Sequence, residues 1–314
     1  MAGLAGVLAL IGIALAAPLV VSLAGVPGPT VPDAAALDPR FGAPSGPSGA
    51  HPLGVDELGR DLLARVVYGS RVALLVAFLA TLPATVVGVL AGLLAGYYRG
   101  WIDAVVSRLV DTVLAFPILL LALGLGTACA GRDGCLGGRL EPGLGLVVVT
   151  IGAVTWTGIA RIVRGQVLVL REQEFVESAR AQGASDRQIM IRELLPNLAA
   201  PIIVAATVAL PAAVLFESAL SFLGVGVQPP DPSWGQMLAQ ATESFDTAWW
   251  LMLFPGLALL LTVLAFTLLG EGLQDALGAR TSMTPGPWAL VRRRTAAAAG
   301  PEREDRVHRT SRNG

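Results

Sequence analysis

Residues 177–196 read Glu177-Ser178-Ala179-Arg180-Ala181-Gln182-Gly183-Ala184-Ser185-Asp186-Arg187-Gln188-Ile189-Met190-Ile191-Arg192-Glu193-Leu194-Leu195-Pro196. This polar stretch lies between two runs free of Asp, Glu, Lys and Arg, 142–160 and 194–216. A helix needs about 20 mostly apolar residues to cross the hydrocarbon core of a bilayer, and both runs have that length. The stretch is therefore a connection between two spans. Few breakers interrupt Arg161 to Gln182, so the earlier span is expected to extend out of the membrane as one helix. Gly183 then ends it, in the left-handed conformation that suits glycine beyond a helix C-terminus. Ser185 and Gln188 have the spacing of a capping box for a new helix. Pro196 marks where that helix must stop or bend into the next span. The pattern over 161–197 predicts a helix–turn–helix knob standing out of the membrane.

Working outward, four more charge-free runs appear at 1–32, 72–98, 112–131 and 247–270. A seventh, 218–230, is cut by Pro229 and Pro230 and is too short to cross. The expected fold is all-α and polytopic, with six transmembrane helices. The composition agrees: 54% of the 314 residues are hydrophobic and only 14% are charged, against about 25% charged in a soluble domain. Mean hydropathy is +0.67. These values argue against a cytosolic enzyme and a disordered chain. The net charge of −1 gives no whole-chain attraction to nucleic acid. All 22 basic residues are Arg. With both termini inside, 16 Arg lie in inside segments and 6 in outside ones. The positive-inside rule thus favours an N-in, C-in chain.

The segments then sort as follows. Residues 1–25 are expected to be a retained first transmembrane helix rather than a cleaved signal peptide. Residues 26–71 form an external loop, with an amphipathic interfacial helix expected over 56–71 because Leu58, Leu62, Leu63, Val66 and Val67 recur at helical spacing. Residues 72–280 hold the other five spans, and 281–314 read as a disordered cytoplasmic tail. Cys129 and Cys135 suit a small-loop disulfide facing an oxidising compartment, or two free thiols. Glu217 lies near the outer end of the fifth span; it faces a translocation path, bonds to a neighbouring helix or sits at the wet boundary. His51 before Pro52 reads as incidental. Trp249-Trp250 suits an outer interfacial belt. No residue pattern points to a metal site.

Glu177, Ala179, Gly183, Leu195 and Pro196, with Ser178 in place of the first alanine, resemble the EAA loop of permease subunits of bacterial ATP-binding-cassette importers. Three further stretches resemble the dipeptide, oligopeptide and nickel branch of that family: His51-Pro-Leu-Gly-Val-Asp56-Glu-Leu-Gly-Arg60-Asp61, Leu220 to Gly235 with Gln228-Pro-Pro-Asp-Pro-Ser-Trp234, and Gly270-Glu-Gly-Leu-Gln-Asp275. Together the motifs cover residues 51 to 280. Glu193 stands where many family members have Ile.

The resemblance implies a type I importer permease fold in a bacterial cell membrane, half of a pathway for peptides or nickel. It implies a second permease subunit as partner in a heterodimer, two cytoplasmic ATPase subunits and an external substrate-binding protein. Glu177, Ser178, Ala179, Gly183, Leu195 and Pro196 would couple to the ATPase. ATP and Mg would belong to those partners, and no cofactor to this chain. A chain without Lys cannot carry the phosphate-binding GxxxxGK[ST] loop. The alternative is a secondary transporter, which needs paired intramembrane ionisable groups and repeat symmetry. A membrane enzyme is a third class, for which no nucleophile–base pair is visible.

Overall fold

The computed structural model describes residues 1–38, 42–129 and 143–282. The chain divides into two units, Met1–Gly272 and the remainder from Leu273. The helices are α1 (Ala2–Leu15), α2 (Ala17–Leu23), α3 (Leu62–Tyr98), α4 (Gly100–Ala115), α5 (Ile118–Cys129), α6 (Leu144–Leu170), α7 (Glu174–Ala181), α8 (Asp186–Gln188), α9 (Leu195–Phe222), α10 (Trp234–Ala241) and α11 (Trp250–Ser282). A π-helical turn, Ile189–Leu194, joins α8 to α9, so one rod runs from Asp186 to Phe222. The described residues hold three isolated β-bridges outside the helices.

Four helices are long and apolar enough to span: α3, α6, the Asp186–Phe222 rod and α11. Two bent pairs, α1 with α2 and α4 with α5, make six if each pair is one span. The bends have local causes. Pro18 has no N–H, so the Ala14 carbonyl lacks its helical partner and α2 turns 71° from α1. The Arg71 side chain donates Nε–H to that carbonyl at 2.8 Å. Pro117 holds Phe116 extended (φ −91°, ψ 127°), which ends α4, and α5 leaves at 79°.

The longest contact is α3 against α6. Gly88, Gly92 and Gly96 lie four apart on one face of α3. A Cβ there would meet Trp156 O at 2.7 Å, Ala160 O at 2.6 Å and Val167 Cβ at 2.7 Å. Lipid offers no hydrophobic force between helices, so close backbone approach over small residues is what holds such pairs. Along the stripe, Leu93, Tyr97, Ile159, Val163 and Val167 join residues of the 176–198 segment in one buried cluster. At α1, Gly3 and Gly6 pack on the Leu268–Leu269 backbone and on Ala265 of α11.

Several expectations are corrected here. No separate amphipathic helix covers 56–71. Residues 51–60 are hydrogen-bonded turns, and α3 begins only at Leu62, where Asp61 Oδ1 accepts from Ala64 N at 2.8 Å. Arg65, on the side of this segment opposite its apolar residues, is 1% exposed and lies 3.3 Å from Asp56. The first apolar run is bent between α1 and α2 rather than one straight helix. The polar stretch 99–111 between two charge-free runs is mostly α4, which starts at Gly100 directly after α3 ends at Tyr98; Arg99 and Gly100 between them have positive φ (+56° and +59°). The expected tail falls almost wholly on residues 283–314, outside those described.

Replacing Gly92 by Leu should abolish recovery of folded protein in size-exclusion chromatography. Gly165→Ala on α6, where a Cβ meets nothing within 4 Å, should leave recovery unchanged.

Candidate coupling site and external clamp

The knob is built from α7, the Gly183 turn, α8 and the π turn. It differs from the expected single extension of α6: Arg171 to Gln173 form a turn between α6 and α7. No breaker residue causes this. The turn lets the Arg171 guanidinium reach the Gly96 and Tyr97 carbonyls left open at the end of α3. Two more bonds hold the knob to the same helix end. Tyr97 Oη donates to Asp186 Oδ1 at 2.7 Å, and Arg99 Nη2 lies 2.8 Å from Glu172 Oε1. The inner faces of α7 and the π turn bury Val176, Ile189, Met190 and Leu194. Burying four such side chains contributes roughly 6–12 kcal/mol before entropy is counted. The knob is therefore a rigid continuation of the span ends.

Its turn has the expected chemistry. Gly183 has φ +85°, which an L side chain rarely adopts. Ser185 and Gln188 form a full capping box. Glu177, Ser178 and Gly183 lie on the exposed face of the knob, with Arg180, Gln182 and Arg187. Ala179 instead packs toward the inner cluster. Leu195 is half-buried and Pro196 exposed at the start of α9, about 14 Å of helix from Asp186. Pro196 does not stop the helix. The π turn absorbs it, and the Asn197 amide donates to the Glu193 carbonyl at 2.6 Å.

At the other end of the rod, Glu217 is 1% exposed. Its carboxyl group accepts from Ser233 Oγ at 2.7 Å, Ser221 Oγ at 2.8 Å and Ser218 Oγ at 3.2 Å. Ser221 Oγ also accepts from Val227 N at 3.0 Å. Of the readings open for Glu217, this geometry is the bonded, structural one: it ties the 224–233 loop and α10 back onto α9. Gly226 and Gly235 have no room for a side chain against Ser221 and Ser218. Trp234 then crosses to α3, donating Nε1–H to Val66 O at 2.9 Å, with Gly69 directly beneath its ring.

The external segment is tied down in the same way. Trp250 is buried rather than in an interfacial belt and donates to Val55 O at 3.2 Å; Trp249 is exposed. His51 is not incidental. It is 5% exposed, with Nδ1 at 2.8 Å from Asp61 Oδ2 and Nε2 at 3.5 Å from Asp33 Oδ2. Its contacts hold the α3 cap to the loop before it. Cys129 is buried at the end of α5, and its expected partner Cys135 lies outside the described residues. Among the described residues no group of three or more His, Cys, Asp or Glu could hold a metal. The glycine stripe and the Tyr97–Asp186 bond escaped the sequence reading. The four-residue spacing of Gly88, Gly92 and Gly96 was a signal available for the first.

Residues 88–283 match the family described as binding-protein-dependent transport system inner membrane component. The chain is 39% identical to the dipeptide transport system permease protein DppC of Alkalihalophilus pseudofirmus, over 74% of this chain and 73% of that one. It is 39% identical to a putative peptide transport system permease of Brucella abortus, over 84% and 86%. It is 42% identical to the glutathione transport system permease protein GsiD of Escherichia coli, over 74% and 73%. Among solved structures, the inward-facing MetNI methionine ABC transporter aligns with TM-score 0.57 and 22% identity, over 68% of this chain and 96% of that one. That likeness shows the fold, which is the type I importer permease fold.

Two tests follow from the bonds at either end of the rod. A double-mutant cycle of Tyr97→Phe and Asp186→Asn should give a coupling of about 1 kcal/mol in thermal unfolding. Glu217→Ala should cost about 3 kcal/mol, because it leaves three buried hydroxyls without their acceptor, and Glu217→Gln about 1 kcal/mol.

Proposed function

The chain belongs to the family of binding-protein-dependent transport system inner membrane components, and on that footing we propose that it is one permease subunit of a peptide importer in a bacterial inner membrane. It pairs with a second permease subunit, and the two line the pathway between them. An external binding protein delivers substrate, and two cytoplasmic ATPase subunits supply the work with their own ATP and Mg. The peptide class is supported by relatives named for dipeptide, peptide and glutathione transport.

The observation that carries the coupling role is the two-sided build of the knob. One side is sunk into the ends of α3, α6 and α9; the other presents Glu177, Ser178 and Gly183 to solvent. A rigid body with one free polar face suits docking into a groove on a moving partner. Glu177 offers acceptors to a backbone N–H or an Arg of that partner, and Gly183 allows close backbone approach. The knob continues into α9 without a flexible joint, so a pull on it moves a span. An ion-gradient carrier fits less well, since the buried carboxyl of the described rod, Glu217, is engaged by serines.

The test is Gly183→Val, which strains the turn by roughly 1–2 kcal/mol and puts bulk on the docking face. Normal membrane insertion with loss of peptide uptake and of ATPase association supports the reading. Full uptake with normal ATPase association overturns it. Assay with labelled dipeptide and with Ni²⁺ in parallel separates the two substrate classes of this branch. Reporter fusions at residues 49 and 185 should read outside and inside.

A further inference from the structure

We propose that the groove between α1 and α3 binds one anionic phospholipid, with its phosphate on Arg71 and an acyl chain along α3. The groove has a volume of about 530 Å³ and is lined by Ile11, Leu74, Leu75, Phe78 and Leu79, with Arg71 at one end.

Arg71 is the last charged residue before the charge-free run 72–98. That run of 27 residues is long enough to cross the ~30 Å hydrocarbon with Arg71 outside it, at the level of lipid headgroups. The side chain is held in place. Nε–H is committed to the Ala14 carbonyl at 2.8 Å, and Cζ stands 5.4 Å from the centre of the Tyr68 ring. The two Nη groups remain to meet an anion, and a guanidinium matches phosphate oxygens in pairs.

The cation also lacks compensation. Arg60 and Arg65, on the same end of the molecule, both have Asp56 within 4 Å, and Arg161 and Arg164 have Asp111 and Asp103. Among the described residues Arg71 has no carboxylate in that range. A half-buried guanidinium beside apolar side chains is costly without a counter-ion. From Arg71 to Leu79 the groove follows α3 for about 12 Å, most of one ~15 Å leaflet. Leu75 and Leu79 are about half exposed along it. A phospholipid supplies both things the site asks for, an anion at the boundary and a chain for the groove. A peptide carboxylate or free phosphate supplies only the first.

The test uses the whole importer purified from membranes and native mass spectrometry with added lipid. The wild type should retain one phosphatidylglycerol in preference to phosphatidylcholine. Arg71→Gln should weaken that retention about fivefold, as loss of one cation near a lipid surface does, while Arg71→Lys keeps most of it. Leu79→Trp fills the groove and leaves Arg71 in place, so it should weaken retention as well. Equal retention of the two lipids by the wild type overturns the proposal, as does unchanged retention in Arg71→Gln. If Arg71→Gln is not recovered folded, Leu79→Trp decides: unchanged retention there overturns the site.

Discussion

The backbone contact of α3 with α6 over Gly88, Gly92 and Gly96 is the constraint on which the other features rest. It leaves no space for a side chain at three successive turns, so the two helices lock in one register. That register brings the end of α3 beside the exit of α6. Tyr97, Arg99 and the open carbonyls of α3 then lie where Arg171, Glu172 and Asp186 can reach them. At the far end the same helix receives Trp234, the Asp61 cap and the break in α1. Shift α3 by one turn and neither the knob nor the external clamp closes.

A second rule runs through the molecule. Lipid supplies no hydrogen bonds, so any backbone group freed by a proline, a bend or a helix end must find a partner in the protein. Arg71 answers the carbonyl opened by Pro18, and Arg171 answers those at the end of α3. Threonines inside the spans, such as Thr85, Thr150 and Thr207, donate to carbonyls four residues back. Trp234 and Trp250 use ring N–H groups to tie separate segments together. The few polar groups of this chain act mainly as fasteners.

What can be read from one chain depends on whether its cause is local. The charge gaps located the four long apolar helices and overlapped each of the two bent pairs, because charge is costly at mid-bilayer wherever its neighbours are. The Ser185–Gln188 box and the left-handed Gly183 were legible, since both are set within four residues. The break at Arg171 to Gln173 was not. It has no breaker, and its cause is an acceptor on α3 some 75 residues away in sequence. The supposed surface helix failed similarly. Its apolar spacing was real, but Arg65 was drawn inward by Asp56 and the first turns became part of α3.

By itself, then, the sequence determined that the chain lives in a bilayer, how many times its apolar runs can cross, and the polar turn between two of them. These follow from transfer free energies and from short-range backbone preferences. The tertiary structure alone decided where α3 begins, that Ala179 faces inward while Glu177 faces out, and that Glu217 fastens α10. Each of these depends on partners distant in sequence, and only packing brings those partners within reach.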